Sequence, residues 1–264
     1  MATKNVWRQQ SKYFFNERAA QISTAVNTAT LCFVSGREQR LWNDPAMYQD
    51  LIDSIQAQLS VGSQDALLEV GCAAGFLAQG LAQRCGRYTG IDIAPSAVEV
   101  ARTLKIARAD FQVADGTRLP WPADSFDRVL CHFVFTNFPD FASIAQVLRE
   151  MVRVTRTGGK IMAGSLPDDA GKAEFEKLVP QVNRELDRLH GPAQSIPNKL
   201  SLLDRARGWL LRRVKRIQPQ VVCYYCKKAD FLALGRDLGL RCEIFDSHPL
   251  DPFRGYRFNV VYTK

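Results

Sequence analysis

The chain has 264 residues, 46% of them hydrophobic and 23% charged, which is the balance of an ordinary globular protein and not of a disordered one. No stretch approaches the roughly 18 uninterrupted apolar residues that a membrane span needs. A formal charge of +8 favours an anionic partner, either a small molecule, nucleic acid or a membrane surface.

The opening residues, Met1 to Arg8, carry no apolar signal region, and the seven cysteines are scattered and odd in number. Both features suit reduced thiols, and a cytoplasmic protein is expected. Cys223 and Cys226 have metal-ligand spacing, but no second pair completes a tetrahedral set, and His132, His190 and His248 are far apart. No metal is expected.

Residues 1–62 read as a helical amino-terminal cap, with Trp7, Tyr13, Phe14 and Phe15 near its start. Within it Met47, Leu51, Ile55 and Leu59 recur at a four-residue spacing, one apolar stripe of a helix from Pro45 to Leu59. Residues 63–166 then alternate short apolar strands with helices. The strands are Ala66–Val70, Tyr88–Asp92, Asp110–Ala114, Phe126–Cys131 and Lys160–Gly164. The helices lie over Phe76–Cys85, from Pro95 to about Lys105, and over Ile144–Val154. Such alternation predicts right-handed crossovers and a parallel sheet covered on both faces.

Residues 167–222 break the rhythm and read as a helical insertion. Around Leu200 to Ile217 an apolar stripe (Leu203, Ala206, Leu210, Val214, Ile217) faces a run of Arg and Lys, a pattern able to touch an anionic membrane or hold a phosphate-bearing substrate. Residues 223–264 resume with a helix from Lys228 to Leu238 and two strands, Leu240–Phe245 and Tyr256–Tyr262, which can pair antiparallel. No recognised nucleic-acid module is present.

The sharpest local signal is Leu67-Leu-Glu69-Val-Gly71-Cys72-Ala73-Ala-Gly75-Phe76: a strand, a turn of small residues, then a helix. Small residues let ligand atoms approach the backbone at the carboxyl end of a parallel sheet. Asp92 ends the next strand, where a carboxylate can bridge two ribose hydroxyls, and Asp115 beside Gly116 ends the third, where one can accept from an exocyclic amine. Phe76 argues against a dinucleotide fingerprint, because it stands where the third glycine would fall.

With these segments, and with Leu148 to Ile161, the chain resembles the class I S-adenosylmethionine-dependent methyltransferases, in particular the bacterial small-molecule group. The resemblance runs from about residue 62 to 166, more loosely from Lys228 to Lys264. It implies an α/β Rossmann-like sheet of seven strands, mostly parallel, with the last strand antiparallel. It assigns Glu69, Gly71, Cys72, Ala73 and Gly75 to the methionine moiety, Asp92 to the ribose and Ile93 to the adenine face. Asp115 and Gly116 would read the adenine edge, with Cys131 and His132 beside the methionine amine and sulfonium. One departure is that the family's middle glycine is Ala73 here.

The implied activity is methyl transfer from S-adenosylmethionine to a small-molecule acceptor such as a sugar, lipid precursor or metabolite, which the chain's charge would allow to be anionic. His132 is the first candidate for a general base, and Glu17 and Asp168 follow it. Trp7, Tyr13, Phe14, Arg18 and Trp42 are expected in a lid over the cofactor. The alternatives are a non-catalytic binding protein of this fold, or a membrane-surface or RNA-associated methyltransferase using the basic helix.

Overall fold

Apolar periodicity and end signals account for the helices that open the chain. The computed structural model describes residues 2–22, 26–191 and 223–264. Helix α1 (Ala2–Ala20) is followed by α2 (Thr28–Val34), which starts at a reciprocal cap between Asn27 and Thr30. Helix α3 (Pro45–Leu59) has proline in its first turn and Asp44 as cap, accepting from the Ala46 N–H at 2.8 Å. It stops at Ser60, whose φ of 54° is left-handed. Leu51, Ile55 and Leu59 of the predicted stripe are buried, together with Ile52.

The sheet contains seven strands, in the order β3-β2-β1-β4-β5-β7-β6. They are β1 (Ala66–Val70), β2 (Arg87–Asp92), β3 (Ala109–Val113), β4 (Phe126–His132), β5 (Thr155–Pro167), β6 (Arg241–Asp246) and β7 (Arg257–Thr263). Strands β1 to β5 run parallel, and β7 lies antiparallel to both β5 and β6. Helices α5 (Pro95–Thr103) and α6 (Phe141–Val154) make crossovers between parallel strands. The connection from β6 to β7 holds no helix, so the last strand returns alongside its predecessor and must run the other way.

Two apolar clusters cover the sheet, one on each face. Leu67 joins Ile52, Ile55, Ala78 and Val98 on one side, and its neighbour Leu68 joins Val129, Ile144 and Leu148 on the other. Cap residues from α2 and α3 therefore belong to the sheet's own core. Helix α7 (Lys172–His190) follows β5, and α8 (Lys228–Asp237) packs near β6. The basic segment 200–217 lies outside the described residues. Among the described residues no helix is long and apolar enough to cross a membrane.

Two local expectations change. The helix foreseen over Phe76–Cys85 reduces to one turn, α4 (Ala78–Leu81), without a side-chain cap. Gly80 lies within it, and a Cβ there would sit 2.8 Å from Ile52, so close packing on α3 holds this segment rather than helix propensity. Strand β5 is also longer than Lys160–Gly164, starting at Thr155 through a register shift opposite Phe126 and Arg128.

Candidate functional site

The strand order reverses at β1, between β2 and β4, and a cleft opens there beyond the carboxyl ends of the strands. After Val70 the chain turns through Gly71 (φ 84°), Ala73 (φ 45°) and Gly75 (φ 82°). The N–H groups of Gly71 and Cys72 both donate to the Ile91 carbonyl, at 2.7 and 2.9 Å. A Cβ on Gly71 would lie 2.4 Å from Val134 Cγ2, so the turn needs glycine there for space as well as for φ.

Ala73 donates its N–H to Asp92 Oδ2 at 2.9 Å, and the Ala94 N–H reaches Asp92 Oδ1 at 2.9 Å. Backbone donors thus fix the carboxylate, which also lines the cleft. Burial pushes the Asp92 pKa up, and these hydrogen bonds pull against that rise.

Glu69 is only 3% exposed and accepts from the Tyr88 hydroxyl. Burial pushes its pKa from the ordinary 4.5 to about 8; Arg37 opposes that rise and the Asp92 charge adds to it. Asp115 Oδ1 accepts from the Thr117 N–H at 2.9 Å and from its hydroxyl at 2.7 Å, and Arg8 of α1 stands 3.8 Å from Oδ2.

Ile93, Gly116, Cys131 and His132 complete the wall, and the cleft holds about 940 Å³ of space outside the atoms, open solvent included. Of the predicted cofactor residues Gly75 alone is not on the wall. It lies behind the turn, its Cβ position 3.1 Å from Leu104 and 3.4 Å from Ala101, where it lets the turn pack on α5.

Arg37 has no local signal in the sequence, since an arginine between α2 and α3 reads as a solvated loop residue. It is 8% exposed, with its guanidinium carbon 4.8 Å from the ring centres of both Phe76 and Phe133. One of its N–H groups lies 3.2 Å from His132 Nδ1. A guanidinium only donates, so Nδ1 accepts and the ring proton resides on Nε2. Burial first, then the neighbouring Arg37, His248 and Arg257, hold the His132 pKa well below 6.5, and the ring is neutral. Gly164 makes room for it: a Cβ there would lie 2.4 Å from His132 Cδ2.

Arg37, His132 and Phe133 also wall a second chamber, of about 680 Å³ with open solvent included. Trp42, Ser54 and Ile55 enter it from the cap region, Ser247, His248 and Asp251 from the β6–β7 connection, and Arg257 and Asn259 from β7. His248 Nδ1 lies 2.8 Å from Asp50, and Arg257 donates to the Ser165 carbonyl at 3.0 Å.

The expected lid residues separate. Trp7 lines the first cleft and packs on Phe138 at 4.5 Å between ring centres, whereas Trp42 faces the second chamber. Tyr13 donates to Glu17 on α1, Phe14 packs edge-on against Phe15, and Arg18 lies 4.0 Å from the Phe33 ring centre. Arg8, Ser11 and Phe15, which the sequence did not mark as contacts, line the cleft from α1. Glu17 and Asp168 stand on neither wall; Asp168 pairs with Lys228 at 2.8 Å and accepts from the Ala170 N–H. Their spacing in the chain carried no information about this, because α1 turns Glu17 toward Tyr13 and the end of β5 commits Asp168 to α8.

Comparison with known proteins places the chain among methyltransferases. Residues 68–163 match the methyltransferase domain family. The chain is 30% identical over 167 residues to demethylmenaquinone methyltransferase of Deinococcus radiodurans, an overlap of 55% of this chain and 68% of that protein. It is 32% identical over 148 residues to methyltransferase GfsG of Streptomyces halstedii, covering 49% of this chain and about half, 52%, of that protein's length. Among solved structures, the methyltransferase in a Haloferax volcanii complex with a methyltransferase activator superposes with a TM-score of 0.59. That overlap covers 91% of this chain and 99% of that one at 17% identity, and shows a shared fold. The chain belongs to the class I S-adenosylmethionine-dependent methyltransferase family, whose cofactor is S-adenosylmethionine.

Proposed function

We propose that the protein transfers a methyl group from S-adenosylmethionine to a small-molecule acceptor. The observation that carries this reading is the convergence of Glu69, Asp92 and Asp115 on one cleft, with Glu69 poised for a cation. The donor set fits the cofactor. A buried acid that ionises with difficulty gains most from an ammonium brought beside it, and Asp92, which lines the same cleft, can accept from vicinal hydroxyls. The backbone from Gly71 to Ala73 leaves room for a close approach.

In this reading Glu69, Gly71, Cys72 and Ala73 hold the methionine part, and Asp92 holds the ribose. Ile93 packs on the adenine, Asp115 and Gly116 read its edge, and Cys131 lies near the sulfonium. Gly75 supports the turn from behind. Helix α1, through Trp7, Arg8, Ser11 and Phe15, closes the cleft as a lid, tied to α5 by Asn16 accepting from the Ser96 N–H at 2.9 Å. When bound, the cofactor supplies a methyl group on a sulfonium that is already activated, so the protein's work is to position the acceptor and exclude water.

The acceptor occupies the second chamber, and His132 is the residue that meets it across the shared wall. As arranged, Nε2–H can donate to the acceptor and orient it. A base function at Nδ1 further requires the acceptor to displace Arg37 from that atom. The similarity to demethylmenaquinone methyltransferase supports an acceptor of metabolite size.

Isothermal titration with S-adenosylmethionine tests the binding, and saturable heat is expected; no heat from a folded sample removes the reading. On an acceptor identified by screening, His132→Gln separates the two roles. A base predicts a loss of roughly 100- to 10,000-fold in kcat and a flattened pH profile, while an orienting donor predicts a rise mainly in KM.

A further inference from the structure

We propose that the second chamber is an oxyanion site, and that the acceptor carries a carboxylate or phosphate group held between Arg37 and Arg257. This rests on the methyltransferase reading above, which makes the chamber beyond His132 the acceptor's place.

The chamber buries more positive charge than its own carboxylates answer. Arg37 is more than nine-tenths buried, its Nε has no hydrogen-bond partner, and among the described residues no carboxylate oxygen lies within 4.0 Å of it. Among the described residues its guanidinium hydrogen-bonds only to His132 Nδ1, a neutral acceptor. Arg257 is partly buried and gives both of its hydrogen bonds, at 3.0 and 3.2 Å, to Ser165, again with no carboxylate within 4.0 Å among the described residues. The two guanidinium carbons approach the same ring, Phe133, at 4.8 and 5.1 Å from its centre. Arg257 is near enough to lower the Arg37 pKa.

The acids that line or border the chamber are largely committed elsewhere. Glu38 accepts from Arg40 through both oxygens, at 2.8 and 3.2 Å. Asp50 is held by His248 and by the Leu250 N–H, each at 2.8 Å. Asp251 accepts from the Phe253 N–H at 2.9 Å and faces Arg257 only from beyond ion-pair distance. Glu69 of the neighbouring cleft also faces Arg37 only from beyond ion-pair distance. Among the acids that line the chamber, one uncommitted carboxylate therefore stands against two guanidiniums, and the buried Ser247 hydroxyl beside them is also without a partner.

A buried guanidinium is costly unless it is paired, and its planar fork of donors matches a carboxylate or phosphate. A ligand oxyanion between Arg37 and Arg257 would satisfy the free Nε, offset the repulsion between the two cations and fix the acceptor beside His132. Trp42, Phe133 and Phe253 supply flat apolar walls for the rest of the molecule.

The test is calorimetry on the full chain saturated with S-adenosylhomocysteine at constant ionic strength. The probes are benzoate, phenyl phosphate and the uncharged benzamide. Benzoate or phenyl phosphate is expected to bind saturably, at least tenfold more tightly than benzamide, and the stronger of the two tells carboxylate from phosphate. Arg257→Gln should weaken that anion at least tenfold, and Arg257→Lys should restore part of the loss.

Binding of both benzoate and phenyl phosphate no tighter than that of benzamide, no anion saturation, or an Arg257→Gln protein that binds the stronger anion unchanged overturns the proposal. The anion-against-amide contrast is read on the wild type, so it stands even if a variant does not fold. Absence of S-adenosylhomocysteine binding in the same samples instead defeats the methyltransferase reading. Cofactor binding without anion preference defeats this inference alone.

Discussion

Glu69, Asp92 and Asp115 wall the cleft at the ends of β1, β2 and β3, while Arg37, Arg257 and His248 wall the chamber across His132. The acids are held mainly by the turns and strands adjacent to them in the sheet. Asp92 bonds Ala94 two residues on and Ala73 of the adjacent turn, and Asp115 bonds Thr117 two residues on. The bases are placed by segments remote from one another: Arg37 meets a histidine 95 residues later, and Arg257 meets a serine 92 residues earlier. A cleft of strand ends and tight turns comes with the sheet, whereas the second chamber exists only once the cap region, β4 and β7 have been brought together. The first follows from the fold class; the second depends on contacts between distant segments.

If the acids of the first cleft do hold the cofactor, the largest effect falls on Asp92. Asp92→Ala removes the ribose contact and leaves the Ala73 and Ala94 N–H groups without their acceptor. Binding of S-adenosylmethionine should weaken about 100-fold, about 2.7 kcal/mol, with a stability loss of about 1–3 kcal/mol. Calorimetry and thermal unfolding measure the two separately, and unchanged affinity would break the contrast between the chambers.

Glu69 gives a smaller effect with a signature in pH. Its folded-state pKa of about 8 stands above the ordinary 4.5, so the cofactor-free protein holds a proton there that the unfolded chain releases. Stability from this group is fully present below about pH 4.5 and is lost as pH rises through about 8. A cation arriving beside Glu69 expels that proton. Titrations with S-adenosylmethionine near pH 7 in buffers of different ionisation enthalpy should therefore show proton release. Glu69→Gln should abolish the release, flatten the stability profile and weaken binding roughly tenfold.

The smallest effect concerns Ala73, which holds a left-handed φ of 45°. Ala73→Gly should remove about 1–2 kcal/mol of backbone strain and return about 0.5–1 kcal/mol of it as chain entropy. A rise in Tm of about 2 °C is expected by calorimetric scan. A fall instead would mean that the methyl group packs well enough to offset its strain.

The parallel strands were legible because each is a short apolar run ending in a turn signal, and β1 was located residue for residue at Ala66–Val70. The acids of the cleft were legible because each stands at or just past a strand end, and Glu69, Asp92 and Asp115 all line it. Gly75 was expected beside the methionine part, and the structure places it behind the turn, with its Cβ position facing Ala101 and Leu104. The foreseen helix over Phe76–Cys85 failed for a similar reason: the approach of Gly80 to Ile52 of α3 is a tertiary contact that no window of sequence contains.

Alternating periodicity, small residues in one turn and carboxylates at strand ends settled the sheet, the cleft and the charge that the cleft presents, because each depends on residues a few positions apart. Only the tertiary structure decided that Arg37 is buried against His132, that this histidine is neutral, and that Arg257 shares its chamber. Burial and field depend on which distant segments close over a group, and a linear pattern of residue types does not encode that closure.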